Sequence, residues 1–127
     1  MPLTLQLVSG EFAVCRLARD EPLPGWADSP VFSSVIRTAD ELSVICPSVQ
    51  VPAGVRAESD WRVFKFVGPF EFSAVGVLAS VAVPLAQAGI SQLSLATFDT
   101  DYMLVKVARL EEAVRTLEIA GHTVRRS

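Results

Sequence analysis

Asp99 and Asp101 are the residues of this chain best placed to do chemistry. They stand two apart in Thr97-Phe98-Asp99-Thr100-Asp101-Tyr102, between two runs of apolar residues. Two carboxylates held close together split their proton affinities, so such a pair can supply a general acid and a general base. The same groups can face the ammonium of a ligand. They can also close a tight turn, in which Asp and Thr satisfy local backbone donors. A catalytic pair wants a partly dry, concave site and a second layer of polar groups, and the neighbouring sequence offers few. From the residues alone the turn ranks first, ligand binding second and catalysis third.

Other chemistry is scarce. Any Ser-His-Asp or Cys-His arrangement has to use the single histidine, His122, which lies beside Gly121 near the C-terminus and reads as a surface or edge-strand residue. No P-loop or GxGxxG is present. Cys15 and Cys46 lie 31 residues apart in strand-like runs, with no CxxC and no Cys/His cluster. That argues against structural zinc and for two reduced thiols in an apolar core rather than a disulfide. The eleven Lys and Arg are scattered in a chain of net charge −3, which argues against nucleic acid as a partner. No cofactor or metal is expected.

These residues must be held by a folded core, and 127 residues, half of them hydrophobic, can build one. The N-terminus has neither a basic stretch nor a long apolar run, and the longest apolar segment, residues 72–88, is interrupted by Ser80, Pro84 and Gln87. A membrane span needs about 20 mostly apolar residues. The expectation is a cytoplasmic protein with no membrane partner.

Leu3 to Val8 and Phe12 to Leu17 read as strands at hairpin spacing around Ser9-Gly10-Glu11. Ala18 to Pro30 is rich in proline and reads as loop. Val31 to Arg37 and Glu41 to Cys46 read as strands, and Pro47 to Asp60 as a second loop. Trp61 to Val67 alternates like a strand. Ser73 to Gln87 reads as a helix covered on most faces, kinked or shortened by Pro84 and ended by Gly89. Leu93 to Phe98 and Tyr102 to Val107 are strands, Arg109 to Ala120 is an amphipathic helix, and His122 to Arg126 can form a last strand. Residues 61–127 thus spell β-α-β-β-α-β, the ferredoxin-like plan. Residues 1–60 look like a worn copy: "RTADELSVICP" overlays "ATFDTDYMLVK" at an offset of 59, with Thr38 on Thr97 and Asp40 on Asp99. The fold class expected is α+β, with two ferredoxin-like units, the first degenerate, and antiparallel sheets carrying helices on one face.

The helix entry adds a second place for a ligand. Gly68-Pro69 follows a strand, Ser73 suits an N-cap and Gly76 falls within the first turn. Free N–H groups at a helix start attract a carboxylate, and glycine lets a ligand approach, although close helix–sheet packing explains Gly76 equally well. This loop and the Asp99 hairpin are expected at opposite ends of one sheet, so a site using both would need two units side by side.

The stretch from Trp61 to Lys106 resembles ACT-domain proteins related to the cytosolic amino-acid sensors of animals, in particular the CASTOR type. The resemblance rests on Gly68-Pro69, Phe72, Gly76 to Ser80, Ala88-Gly89-Ile90-Ser91 and Thr100-Asp101-Tyr102, with "PGWA" (24–27) and "TADELSVICP" (38–47) in the first half. It implies tandem ACT-like units, at residues 1–60 and 61–127, in a non-enzymatic regulatory protein. Such a protein binds a small molecule, generally an amino acid, at an interface between units. The implied ligand-binding residues are Phe72, Ser73, Val75, Gly76, Val77 and Leu78 on the helix entry and Asp99, Thr100 and Asp101 on the hairpin. A homodimer or a regulated protein partner is implied as well. The acids Glu71, Asp99 and Asp101 lean towards a ligand with a basic or neutral side chain. Two rival readings are an interaction module without a ligand and a small acid/base enzyme using Asp99 or Asp101.

Overall fold

The computed structural model describes residues 1–126. In chain order the elements are β1 (Thr4–Leu17), β2 (Ser34–Arg37), β3 (Leu42–Pro47), β4 (Arg56–Phe66), α1 (Val77–Gln87), β5 (Leu93–Ala96), β6 (Asp101–Lys106), α2 (Leu110–Ile119) and β7 (Thr123–Arg125). Short 3-10 turns lie at Gly25–Ala27, Ser48–Gln50 and Val107–Arg109. Two compact units form: Gly10–Trp61, and Met1–Ser9 together with the chain from Arg62 onward. The fold is α+β, with a ferredoxin-type arrangement of strands and helices in the larger unit.

In the larger unit the strands run in the order β7-β1-β4-β6-β5. Strand alternation sends Leu5 and Leu7, Phe64 and Phe66, and Met103 and Val105 to one face. There they pack against Val77, Val81 and Leu85 of α1, one helical turn apart, and Leu110, Ala113, Val114 and Leu117 of α2. The last strand differs from what residues 61–127 alone would build. Thr4-Leu5-Gln6 pair in parallel with Thr123-Val124-Arg125, so the start of β1 lies between β7 and β4. Leu3 carbonyl accepts from the Thr123 N–H, and Thr4 carbonyl from the Val67 N–H. The first nine residues therefore belong with the second half of the chain, not with residues 10–60.

In the smaller unit β3 lies antiparallel between β2 and β1, with Phe12 to Leu17 opposite Pro47 to Leu42. Ala13, Cys15, Ala27, Leu42, Val44 and Cys46 form its core. The hairpin expected at Ser9-Gly10-Glu11 does not form: β1 is continuous through these residues, with Gly10 at a φ of 94° within the strand. Likewise β4 begins at Arg56, inside the stretch read as loop, and Asp60 takes the left-handed φ of 68° within it. Gly10 is the first residue of the smaller unit, and Asp60 comes just before its last, Trp61.

The offset of 59 extends well beyond two polar residues. Moved by 59 positions, the bounds of β2, β3 and the turn at Ser48–Gln50 become those of β5, β6 and the turn at Val107–Arg109.

α1 also differs from expectation. It starts at Val77, not Ser73, because Gly76 is its N-cap at φ 84° and Ser73 makes no cap hydrogen bond. Close packing does not explain Gly76, since a Cβ there would meet nothing within 4 Å; the left-handed backbone does. Nor is the helix covered on most faces: Ala79, Val83 and Ala86 are exposed.

Candidate functional site

The β5–β6 hairpin is built by two threonines. Thr97 donates its N–H (2.8 Å) and its hydroxyl (3.0 Å) to the Thr100 carbonyl, and the Thr100 N–H donates back to Thr97 Oγ1 at 3.2 Å. The Thr38–Glu41 turn repeats all three bonds in the smaller unit. The buried Thr100 hydroxyl then donates to the Phe66 carbonyl at 2.5 Å, tying the hairpin to the end of β4. The turn reading thus accounts for both threonines. It leaves the aspartates unused: among the described residues neither the Asp99 nor the Asp101 carboxylate has a hydrogen-bond or ion-pair partner.

The helix-entry loop meets this hairpin within one unit, which corrects the expectation that two units are needed. The Phe70 N–H donates to the Asp99 carbonyl at 2.9 Å, and the Phe72 and Phe98 rings meet edge to face with centroids 4.9 Å apart. The reason is topological. A crossover through α1 returns β5 parallel to β4, so the loop after β4 and the hairpin after β5 leave from the same end.

Two depressions flank the hairpin and share Asp99 and Thr100. One, of about 170 Å³, is lined by Phe70, Glu71, Phe72, Val77, Phe98 and Asp101 among others. It thus gathers five of the sequence-selected residues: Phe72, Val77, Asp99, Thr100 and Asp101. The other, of about 470 Å³, adds Gln6, Lys65, Val67, Gly68, Pro69 and Arg125.

The remaining selected residues go elsewhere. Gly76 borders a separate hollow with Met1, Ser80, Val83 and His122. Leu78 packs on the core. Ser73 and Val75 are exposed in the loop, with Ser73 Oγ donating to Glu71 Oε2 at 3.4 Å. Sequence reasoning missed Gln6, Lys65 and Arg125. The alternation of β4 put Lys65 on the polar face, but nothing local shows that β1 and β7 bring Gln6 and Arg125 to its side.

His122 is 5% exposed rather than on the surface. Its Nδ1 accepts from the Leu3 N–H at 3.1 Å, which places the proton on Nε2, and Nε2 donates to the Ser80 carbonyl at 2.7 Å. It ties Leu3, just ahead of β1, to α1 and takes no part in either depression beside the hairpin. Among the described residues no group of His, Cys, Asp and Glu is arranged to hold a metal, and no helix is long and apolar enough to cross a membrane.

Residues 56–118 match the family model of the ACT domain, and residues 10–54 match a second model, that of an N-terminal domain. The stretch from residue 56 to residue 118 is thus similar to the ACT domain. Over its full length the chain is 38% identical to an Agrobacterium tumefaciens protein of known crystal structure, covering 95% of that chain with a TM-score of 0.95. A Vibrio cholerae protein of unknown function shares the fold at 20% identity, with 94% and 90% of the two chains covered and a TM-score of 0.76. So does the ligand-free regulatory subunit of aspartate kinase from Thermus thermophilus, at 13% identity, 91% and 96% coverage and a TM-score of 0.63. No curated protein matches the chain.

Proposed function

We propose that this is a non-enzymatic regulatory protein of the amino-acid-sensor type, which binds an amino acid beside the β5–β6 hairpin. The carrying observation is the meeting of helix entry and hairpin in one unit, with two carboxylates at their junction that have no partner among the described residues. The ACT-domain match and the fold shared with a kinase regulatory subunit support a regulatory role. The smaller unit is read as a degenerate ACT-like copy: it keeps the hairpin and the following 3-10 turn at the same offset but has no α-helix among its described residues. A second copy of the chain would cover the edge strand β5 and the exposed rings of Phe72 (78%) and Phe98 (79%). The enzyme reading gains nothing from the geometry, since the one histidine is committed to structural hydrogen bonds away from both aspartates.

The test is a thermal-shift screen against the twenty amino acids, with sedimentation of the free and liganded protein. A ligand at 100 times its dissociation constant stabilises the folded state by about 2.7 kcal/mol, a shift of several degrees. A flat screen would sink the sensor reading and favour an interaction module.

A further inference from the structure

The larger depression has a charge pattern opposite to that of its neighbour. Glu71, Asp99 and Asp101 line the smaller one, which has no lysine or arginine among the described residues of its wall. Lys65 and Arg125 line the larger one, with Asp99 as its one acid among the described residues. Alternation explains how the cations arrive together. Leu5, Leu7, Phe64 and Phe66 face the helices, and Val124 packs on them, so Gln6, Lys65 and Arg125 stand on the opposite face. They come from three adjacent strands, and Gln6 is in register with Arg125. Gln6 Nε2 donates to the Leu7 and Arg125 carbonyls, leaving its amide oxygen available to the pocket. Neither the Lys65 ammonium nor the Arg125 guanidinium has an ion-pair partner among the described residues. Two cations with no ion-pair partner among the described residues, beside one carboxylate in an acidic protein, are a recognition feature.

We infer that this pocket binds an amino acid with an acidic side chain, an aminodicarboxylate, and this rests on the amino-acid-binding reading above. Lys65 and Arg125 take the two carboxylates, and Asp99, helped by the Gln6 amide oxygen, takes the ammonium. The charges then balance: a ligand of net charge −1 meets a wall of net charge +1. A basic amino acid would set two cations against two cations. Size favours the same pocket, since about 470 Å³ falls within the usual range of small-molecule sites and about 170 Å³ falls below it. The ligand preference is thus the reverse of the one suggested by Glu71, Asp99 and Asp101 together.

Titration calorimetry of the full chain with L-glutamate, L-aspartate, glutarate, L-lysine and L-leucine tests this. The expected result is binding of glutamate or aspartate, weakened about ten- to hundredfold by Lys65→Gln and by Arg125→Gln. Val49→Ala, at an exposed position outside this pocket, should leave that affinity within about twofold. Both cation sites are exposed strand positions, and the melting curve of each variant separates lost binding from lost folding. Binding of lysine or leucine in preference to the acids, insensitive to Lys65→Gln and Arg125→Gln, overturns the inference while the sensor reading stands. Glutarate binding as tightly as glutamate, unchanged by Asp99→Asn, overturns the assigned ammonium site. If neither glutamate nor aspartate binds, the inference fails, and a flat screen of all twenty amino acids would sink the sensor reading with it.

Discussion

His122 completes a hydrogen bond that Pro84 cannot make. Proline has no N–H to give the carbonyl four residues back, which in α1 belongs to Ser80. His122 Nε2 donates to that carbonyl instead, and α1 runs through Pro84 to Gln87. His122→Ala should therefore cost about 1–3 kcal/mol, by leaving the Ser80 carbonyl and the Leu3 N–H short of partners. In the Pro84→Ala background a backbone N–H is restored, and the cost of His122→Ala should shrink. Urea denaturation of the four proteins measures this coupling; strict additivity would show that the two sites are independent. The buried thiols give a second test. Burial, with Cys15 beside it, pushes Cys46 from an ordinary thiol's 9.0 up to about 11, and burial also raises Cys15. A proton held more tightly by the folded state stabilises it fully below pH 9, and that contribution is lost as pH climbs towards 11. Stability should fall across that window, by up to about 1.4 kcal/mol per pH unit for each such thiol, and Cys46→Ala should flatten the slope. Disulfide formation is not expected. Cys46 is opposite Ala13 and Cys15 is opposite Val44, which makes the two cysteines diagonal neighbours; such neighbours typically have Cα atoms about 7–8 Å apart, beyond the usual disulfide range.

At the scale of elements, α1 is set by one backbone angle. Gly76 at φ 84° caps a helix whose neighbouring loop forms the wall beside the hairpin. Any side chain there meets open space but a strained backbone, so Gly76→Ala should cost about 1–2 kcal/mol in melting experiments. A larger loss would mean that the loop depends on the cap. The sequence exposed much of this level. The two helices, the hairpin at Asp99 and the ferredoxin-like order were legible because each rests on a local period or turn. The offset of 59 was visible in Thr38 and Thr97, and the structure extends it to six element boundaries. What was not legible depended on backbone sign or on distant pairing. Gly10 looked like a turn but lies within a continuous strand. Ser73 looked like a cap, although Gly76 holds the angle. The cations of the larger depression were unreadable because Arg125 and Lys65 are 60 residues apart and meet only through β1.

For the whole molecule, the ACT-type unit is not a contiguous piece of chain. The family model ends at residue 118, before β7, and starts at residue 56, long after the strand that separates β7 from β4. Leu5 and Leu7 fill the middle of its core, both buried, and β7 has β1 as its pairing strand. A fragment of residues 61–127 would leave β4 with an open edge, β7 with nothing to pair to and His122 without the Leu3 N–H. It should give a poorly dispersed NMR spectrum and no cooperative melt, and adding a peptide of residues 1–9 should restore structure only weakly, because association costs entropy that the intact chain avoids. In the full chain, Leu5→Ala removes a side chain with no exposed surface and should cost about 2–5 kcal/mol, as much as a change in the helices themselves. A cooperatively folded 61–127 fragment would instead make β1 an accessory strand. The N-terminal residues would then be dispensable for the pocket that Gln6, Lys65 and Arg125 line, and binding by the fragment would show it.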